Sequence, residues 1–443
     1  MLGQYLVGFL CILQVFSTKN APIRAGIETL EYVHVIWRHG DRTPGELIFE
    51  EDAKKWPQGI GELTKEGVAQ QYRLGQWLRK RYGDWIDDQH LSSQVYIRSS
   101  DYNRTLMSAL ANMAGMFPPK TGLDTNLMWQ PVPVHTMPKY LDKELYEDIP
   151  CPNAAIELSN QWKSDKADMI RKEYKYELEL FAEKTNIGRK TMELKEVWKV
   201  YDNYFCEKSN NIEWPTWMNS TIFDRLTDLY NQLSTLEFHT EKLRRLRGGT
   251  LLEEIFNRFT AKVNGSLGPD AKFYAYSAHD ATIAALLSTF GIFYEIFPKY
   301  ATCLMIEMHK FPQNSSHILR VYHKNETDRE ELIEYTIPGC EYPCTLEKLN
   351  VDLNRYFPSD WSSECGLTLF SSFHNCFSSQ YCMYFIFPSI IFITFSSIIL
   401  LVLLLFCRKY SKSPRFPIRK NDEKRDDSTP MLNLELDDSD LDV

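Results

Sequence analysis

Three short apolar segments of this 443-residue chain each lead, through a loop that carries charged residues, into a predicted helix. They are residues 31–37 (EYVHVIW), 95–97 (VYI) and 273–278 (FYAYSA). Their β-branched and aromatic residues favour buried strands. Strand–loop–helix units separated by long stretches of chain predict an α/β fold with an open, mostly parallel sheet sandwiched by helices. In such sheets ligands bind beyond the carboxyl ends of the strands, where these loops lie.

The stretch 151–262, between the second and third units, is highly charged and has helical periodicity. It predicts a smaller all-α cap domain, and its charge runs are interpreted as solvated helix faces rather than as a binding site. The α/β core is then expected over about 28–150 and 263–365.

Apolar segments near both ends predict a single-pass type I membrane protein. Residues 1–17 are typical of a secretory signal peptide, with a membrane anchor or a buried first helix as alternatives. Residues 385–406 are 22 uncharged residues, enough for one transmembrane helix. The Lys and Arg residues that follow mark the cytoplasmic side. The prediction therefore adds a lumenal or extracellular domain (18–375), a juxtamembrane linker (376–384) and a cytoplasmic tail (407–443).

Cysteines and glycosylation sequons agree with a secreted route. Ten Cys are present, eight of them between positions 151 and 382, so disulfides are expected in an oxidising compartment. Eight Cys allow 105 pairings, and the sequence alone does not choose among them. The sequon at Asn103 lies close to the second charged loop, so we expect it to be unmodified. The other sequons are predicted glycosylation sites: Asn219, Asn264, Asn314 and Asn325.

The charge balance limits the partners. With 50 Lys+Arg against 59 Asp+Glu, the net charge is −9, which argues against nucleic acid as a partner. A local cluster of Arg can still hold one small anion.

In the tail, residues 427–432 approximate an acidic dileucine signal, with a disordered tail as the alternative. Lysosomal and plasma membranes are therefore both open as locations.

The first charged loop has the composition of an oxyanion site. In the string RHGDRTP, His39 is flanked by Arg38 and Arg42, and Gly40 allows close backbone approach. Neighbouring guanidiniums disfavour the imidazolium, which keeps a ring nitrogen available as a nucleophile at acid pH. Surface ion pairing of these three residues is the alternative interpretation.

The other two loops add complementary groups. The second supplies Arg98 as a further hydrogen-bond donor to a phosphate. The third places His279 and Asp280 at the start of a helix, where anions are favoured. His279 is a candidate phosphate ligand and Asp280 a candidate general acid. Helix capping by Asp280 is the alternative and does not exclude catalysis.

Together, RHGDRTP, RSSDYNRTLMSA at 98–109 and YSAHDAT at 276–282 resemble the motifs of the histidine acid phosphatases, in the phosphoglycerate-mutase-like superfamily. The resemblance spans about residues 30–365. It implies an α/β core with a smaller helical domain, assembled as a homodimer. It also implies two catalytic residues, His39 as the phosphorylated nucleophile and Asp280 as the proton donor. The phosphate ligands it implies are Arg38, Arg42, Arg98 and His279.

The same resemblance suggests the disulfides Cys151–Cys365, Cys206–Cys303 and Cys340–Cys344. It implies no metal and no cofactor, because the Arg cluster supplies the positive charge. The expected substrates are phosphate monoesters, on small molecules or on phosphoproteins. The alternatives are a phytase or inositol-polyphosphate phosphatase, and a catalytically inactive surface binding protein on the same fold. A cytosolic mutase-type transferase is disfavoured by the signal peptide and the membrane span.

Overall fold

The computed structural model describes most of the chain between residues 26 and 367 and a later helical segment. The described ranges are 19–20, 26–119, 129–146, 148–293, 296–310, 316–326, 330–340, 342–367 and 387–410. The predicted signal peptide, the linker, Asn314 and nearly all of the predicted tail lie outside them. The chain divides into two units, Met1–Ser371 and Ser372–Val443.

Seven strands of the described chain form one sheet. They are β1 Lys19–Asn20, β2 Leu30–Arg38, β3 Val95–Ser99, β4 Phe273–Ala278, β5 Cys303–Lys310, β6 His317–Lys324 and β7 Ile333–Tyr335. Their order is β1-β7-β6-β5-β2-β4-β3. The three strands predicted from sequence, β2, β4 and β3, are therefore neighbours at one side of the sheet.

The sheet is mixed, so the prediction of a mostly parallel sheet is wrong. β4 pairs in parallel with β2 and with β3, whereas β5 is antiparallel to β2 and to β6, and β7 is antiparallel to β6 and to β1. Only residues 311–316 connect β5 to β6, which is too short for the crossover that a parallel pair needs.

The helices begin at capping residues that the sequence supplies. The side chains of Thr64, Ser164, Asn219, Thr240 and Thr345 each accept a hydrogen bond from a backbone N–H of the helix that follows. The helices are α1 Lys65–Tyr82, α2 Asn103–Met116, α3 Pro152–Gln161, α4 Asp165–Glu173, α5 Lys175–Lys184, α6 Val197–Ser209, α7 Ser220–Leu236, α8 Glu241–Arg247, α9 Gly249–Val263, α10 Asp280–Thr289, α11 Leu346–Leu353, α12 Trp361–Glu364 and α13 Phe387–Tyr410. Short 3-10 turns cover Glu50–Lys55, Lys139–Leu141, Leu194–Glu196 and Asn354–Tyr356.

Helices cover both faces of the sheet, which confirms the predicted α/β fold. On one face, α1 and α2 pack against Val33, Val35 and Trp37 of β2. On the other, α9, α10 and α11 pack against Ile36 of β2 and Leu304 of β5. Each face is apolar because successive side chains of a strand point to opposite sides.

A third apolar cluster joins α4, α5, α6 and α7 within the segment predicted as a cap. α9 lies within the same predicted segment but contributes Leu252, Ile255 and Phe256 to the core beside the sheet. The bounds of the cap stay a prediction.

Two of the three implied disulfides are present. Cys151 bonds to Cys365 across 214 positions of the chain, and Cys340 bonds to Cys344. Closing so long a loop restricts the unfolded chain and thereby stabilises the fold.

The implied Cys206–Cys303 disulfide is wrong, since both residues are buried free thiols. Cys206 lies on α6, with its Sγ 3.3 Å from the hydroxyl of Tyr300. Cys303 belongs to the apolar cluster on the α1/α2 face of the sheet, together with Val35 and Trp37. The two side chains therefore lie in different surroundings.

The second unit contains α13, which covers residues 387–406 of the predicted membrane span. Among the helices of the described residues, none is both long enough and apolar enough to cross a membrane.

Candidate active site

The sheet brings the first and third charged loops together. Arg38, the last residue of β2, is in register with Ala278, the last residue of β4. The backbone N–H of His39 donates to the carbonyl of Ala278 at 3.0 Å. Because the two strands are parallel, their carboxyl ends meet at one edge, and His39 leaves the sheet beside His279.

The second loop joins the same edge from β3. The backbone N–H of Ser100 donates to the carbonyl of Ser277 at 3.1 Å, and the Ser100 hydroxyl lies 2.9 Å from Nε2 of His279. The prediction that the three loops meet beyond the strand ends is confirmed.

Two glycines let the first turn of α1 lie against the loop that carries His39. A Cβ on Gly40 would lie 2.2 Å from the carbonyl oxygen of Gly67, and a Cβ on Gly67 would lie 2.1 Å from the carbonyl oxygen of Asp41. Any larger residue at either position would push the loop away from the helix. The Thr64 hydroxyl, which caps α1, also donates to Oδ2 of Asp41 at 2.5 Å.

His39 is held as a neutral imidazole with a defined proton. It is 1% exposed, and its Nδ1 lies 2.8 Å from the carbonyl oxygen of Gly40. A carbonyl only accepts, so Nδ1 carries the proton and Nε2 keeps its lone pair. Burial, followed by the charges of Arg104, Arg38 and Arg42, lowers the pKa of His39 well below its usual range.

Arg38 and Arg42 flank His39, each fixed by a carboxylate. Nη2 of Arg38 lies 2.7 Å from Oδ2 of Asp280, and its Nη1 donates to the carbonyl of Pro298 at 2.7 Å. Arg42 binds Asp202 with both Nη atoms, at 3.1 and 2.8 Å. Asp202 lies on α6, so the loop that carries His39 is attached directly to the helices of the predicted cap. The planar fork of an Arg is oriented well by such bidentate pairing.

His279 caps α10 and is also neutral. Its side chain accepts from the N–H of Thr282, so its Nε2 carries the proton that it donates to the Ser100 hydroxyl. Burial and then Arg104 lower the pKa of His279 well below its usual range. Asp280 follows as the first residue of α10, and its Oδ1 accepts from the N–H of Ala281 at 2.8 Å.

Arg98 lies apart from this group, and its role as a phosphate ligand stays a prediction. Its Nη2 lies 2.5 Å from Asp142 and 3.0 Å from Glu144, and its Nη1 lies 2.9 Å from Glu254. Three carboxylates bind this guanidinium, and Arg98 does not line the cavity that holds His39.

Arg104, in the first turn of α2, lies beside His39 and His279, where the sequence predicted Arg98. It lines the cavity, and its Nη2 lies 3.5 Å from Nδ1 of His279. No carboxylate of the described residues lies within 4 Å of its guanidinium. Nε of Arg104, like Nε of Arg38 and Arg42, is buried without a hydrogen-bond partner in the described structure. The positive charges of Arg104, Arg38 and Arg42 all act on His39, and three guanidiniums near one imidazole suit a tetrahedral oxyanion.

His39, His279 and Asp280 open on a cavity of about 1180 Å³ between the carboxyl edge of the sheet and helices α6 and α7. The far wall, on α6 and α7, is largely aromatic, with Trp198, Tyr201, Phe205, Phe223 and Tyr230. The cavity is large enough for a phosphate group together with a bulky organic substituent.

Comparison with known proteins agrees with this geometry. The chain is similar to a Caenorhabditis elegans protein named "Putative acid phosphatase 5", with 59% identity over 94% of both chains. It is 36% identical to the prostatic acid phosphatase of Rattus norvegicus, over 81% of this chain and 93% of that one. It is 34% identical to the lysosomal acid phosphatase of Xenopus laevis, over 82% and 85%.

Among solved structures, the apo phytase of Hafnia alvei has the same fold, with a TM-score of 0.59 and 14% identity over 76% of this chain and 98% of that one. Residues 29–324 match the sequence pattern of the histidine phosphatase superfamily (branch 2), a span that includes every residue of the site described above. With the similarity to the curated relatives, this match confirms the resemblance seen in the three motifs: the chain belongs to the histidine phosphatase superfamily, branch 2.

Proposed function

We propose that the chain is an acid phosphatase that hydrolyses phosphate monoesters through a phosphohistidine on His39. One observation carries the proposal: His39 is buried, neutral and protonated on Nδ1, and three Arg side chains surround it. The names and identities of the curated relatives support the same activity.

In the first step, Nε2 of His39 attacks phosphorus and forms a P–N bond. The P–O bond to the leaving group breaks, and the departing oxygen takes the bond's electron pair and a proton from Asp280. Arg38, which binds Asp280 in the structure, would turn toward the substrate phosphate, and this frees the carboxyl group to hold that proton. In the second step, water attacks phosphorus while Asp280 accepts its proton, and the P–N bond breaks to release inorganic phosphate.

Arg38, Arg42 and Arg104 would stabilise the charge on the equatorial oxygens of the phosphoryl group. His279 would contact the same oxygens through Nδ1, which must first give up the Thr282 N–H and take a proton, a change that the phosphate dianion favours. The three guanidiniums bring the positive charge that this chemistry needs, so the scheme proceeds without a metal ion.

The charge of the cavity favours simple monoesters over the phytase alternative. Its wall carries eight Lys and Arg against nine Asp and Glu, a poor match for a substrate with six phosphates. The likeness to phytase structures, at 14–18% identity, concerns the fold alone. An inactive binding protein is disfavoured because His39, Asp280 and three Arg side chains lie together at one edge of the sheet.

Replacing His39 tests the nucleophile. We expect His39→Ala to lower turnover of p-nitrophenyl phosphate at least about 10³-fold, because no other group attacks phosphorus. Wild-type enzyme should be active at pH 5 with EDTA present, since the depressed pKa keeps His39 neutral below pH 6.5. Rapid quenching with ³²P-labelled substrate should trap an acid-labile phosphoenzyme. His135→Ala, at an exposed His stacked on Tyr96, serves as the control and should stay active. Loss of activity with EDTA would contradict the scheme.

Arg104 and Arg98 give opposite expectations for phosphate binding. Arg104→Met should raise the inhibition constant of inorganic phosphate and lower kcat/KM by about 10²- to 10³-fold, because it removes a donor to the transition state. Arg98→Met should leave that inhibition constant within about threefold, although it lowers the melting temperature because Asp142 and Glu144 lose their cation and Glu254 keeps only Arg258. An equal loss of phosphate affinity in both variants would show that Arg98 also binds phosphate.

Comparing two esters with different leaving groups tests whether Asp280 is the proton donor. Asp280→Asn should slow glycerol 2-phosphate by about 10²- to 10⁴-fold, because an alkoxide leaves poorly without a proton. p-Nitrophenyl phosphate should be slowed far less, since its phenolate leaves unprotonated. The measurement compares kcat for the two esters in wild type and variant. Equal slowing would show that Asp280 acts through its contact with Arg38 rather than as an acid.

We also propose that residues 385–406 anchor the enzyme in a lysosomal or plasma membrane, with the catalytic unit on the lumenal or extracellular side and as a homodimer. The absence of Lys, Arg, Asp and Glu from this segment, the disulfides and the lysosomal relatives support this. The predicted glycan sites Asn219 and Asn264 are exposed, whereas Asn103 lies at the cavity wall and donates to Glu62.

Membrane extraction tests the anchor. We expect the full chain to stay in the pellet after alkaline carbonate and a chain ending at residue 384 to be released, because the truncated chain lacks the apolar segment. Removal of N-glycans should increase the mobility of both forms. Release of the full chain by carbonate would rule out a spanning anchor, and size-exclusion chromatography with light scattering tests the dimer.

A further inference from the structure

We propose that Lys139 forms a second anion subsite in the catalytic cavity, which selects phosphomonoesters whose leaving group carries one further negative group, such as a carboxylate. This proposal rests on the proposed phosphatase function. It adds a preference among leaving groups that no step of the mechanism requires.

Four of the eight Lys and Arg side chains that line the cavity are neutralised by a neighbouring carboxylate. The pairs are Arg38–Asp280, Arg42–Asp202, Arg247–Glu237 and Lys299–Glu326. Within the described chain, no carboxylate lies within 4 Å of the other four, which are Arg104, Lys139, Lys195 and Lys208. Lys195 and Lys208 are exposed to solvent, whereas Arg104 and Lys139 are half-buried. Arg104 belongs to the phosphate site, which leaves Lys139 as a half-buried positive charge without an assigned anion.

An aromatic ring holds Lys139 in place of a carboxylate. Its Nζ lies 3.5 Å from the ring centroid of Tyr102, and Cζ of Arg104 lies 4.2 Å from the same centroid. A cation–π contact fixes an ammonium group without cancelling its charge, so Lys139 stays attractive to an anion.

Tyr102 also places the subsite on the leaving-group side of the cavity. Its ring stands edge-to-face against His279, with centroids 5.1 Å apart, and His279 is followed by the proposed proton donor Asp280. A leaving group that takes its proton from Asp280 therefore lies next to the wall that carries Lys139.

The Arg98 network fixes the turn that presents Lys139. The 3-10 turn Lys139–Leu141 runs directly into Asp142, which accepts from Arg98 at 2.5 Å and from the N–H of Leu145 at 3.0 Å. Leu145 is fully buried in the core beside the sheet. A lysine on a fixed turn loses less conformational entropy on binding than one on a mobile loop. Arg98 thus supports the substrate site without touching the phosphate.

The activity test compares two esters that differ by one carboxylate, phenyl phosphate and 4-carboxyphenyl phosphate. In Lys139→Met, which keeps the length of the side chain, we expect the ratio of their kcat/KM values to shift about 3- to 10-fold against the carboxylate ester. Lys195→Met, at an exposed lysine of the cavity wall on the cap side, should leave that ratio unchanged.

Three results would overturn the subsite. The ratio could stay constant in Lys139→Met, or both esters could slow equally, which would mean that Lys139 acts only through its charge on His279. An equal shift in Lys195→Met would show that any positive charge on the wall has the same effect.

A binding measurement separates this proposal from the phosphatase function. In the His39→Ala background, calorimetry should show that Lys139→Met weakens phosphonoacetate about 3- to 10-fold while methylphosphonate is unaffected. If wild type proves inactive but this difference appears, the proposed function fails and the subsite stands. If wild type is active and the two phosphonates weaken equally, the subsite fails.

Discussion

The site depends on keeping one imidazole neutral and buried among three guanidiniums. The Gly40 carbonyl fixes the proton of His39 on Nδ1, and the register of β2 with β4 fixes the ring beside His279. Both histidines have depressed pKa values, so below pH 6.5 the unfolded chain binds protons that the folded chain does not. Their contribution to stability therefore falls as the pH drops below 6.5. The neutral state of His39 that the proposed mechanism needs in acid is therefore a cost to folding in acid.

Arg42 connects this chemistry to the helices above the sheet. Asp202 of α6 binds its guanidinium with both oxygens and also accepts from the N–H of Gly45 at 2.7 Å. On the same side, Asn210 donates to Oδ2 of Asp41 at 3.0 Å. The loop that carries His39 is thus clamped between α1 on one side and α6 on the other. Movement of the cap helices would reach the phosphate site through Arg42 first.

Much of this was predictable from sequence, because parallel neighbours end at one edge and carry their loops with them. The position of Arg98 apart from His39 follows from side-chain direction. Val95 and Ile97 of β3 face α1 and α2, so Arg98 must face the opposite side, where Glu254 of α9 lies. Arg104 was in the same motif, but only the start of α2 at Asn103 shows that it turns toward His279. The antiparallel half of the sheet and the free thiols of Cys206 and Cys303 depend on long-range packing, which no local pattern encodes.

Buried carboxyl groups offset part of the stability that His39 and His279 lose in acid. Burial raises the pKa of Asp142 to about 6 and also raises the pKa of Asp41. A folded carboxyl with a raised pKa takes up its proton before the unfolded chain does, so for Asp142 acidification from about pH 6 towards its ordinary range favours the folded state. The effect of acid on stability is therefore opposite to the effect that His39 and His279 have. Because Asp142 also anchors the turn of Lys139 through Arg98, the group that gains a proton in acid belongs to the scaffold of the substrate site. Acid tolerance and substrate positioning thus depend on the same carboxyl group.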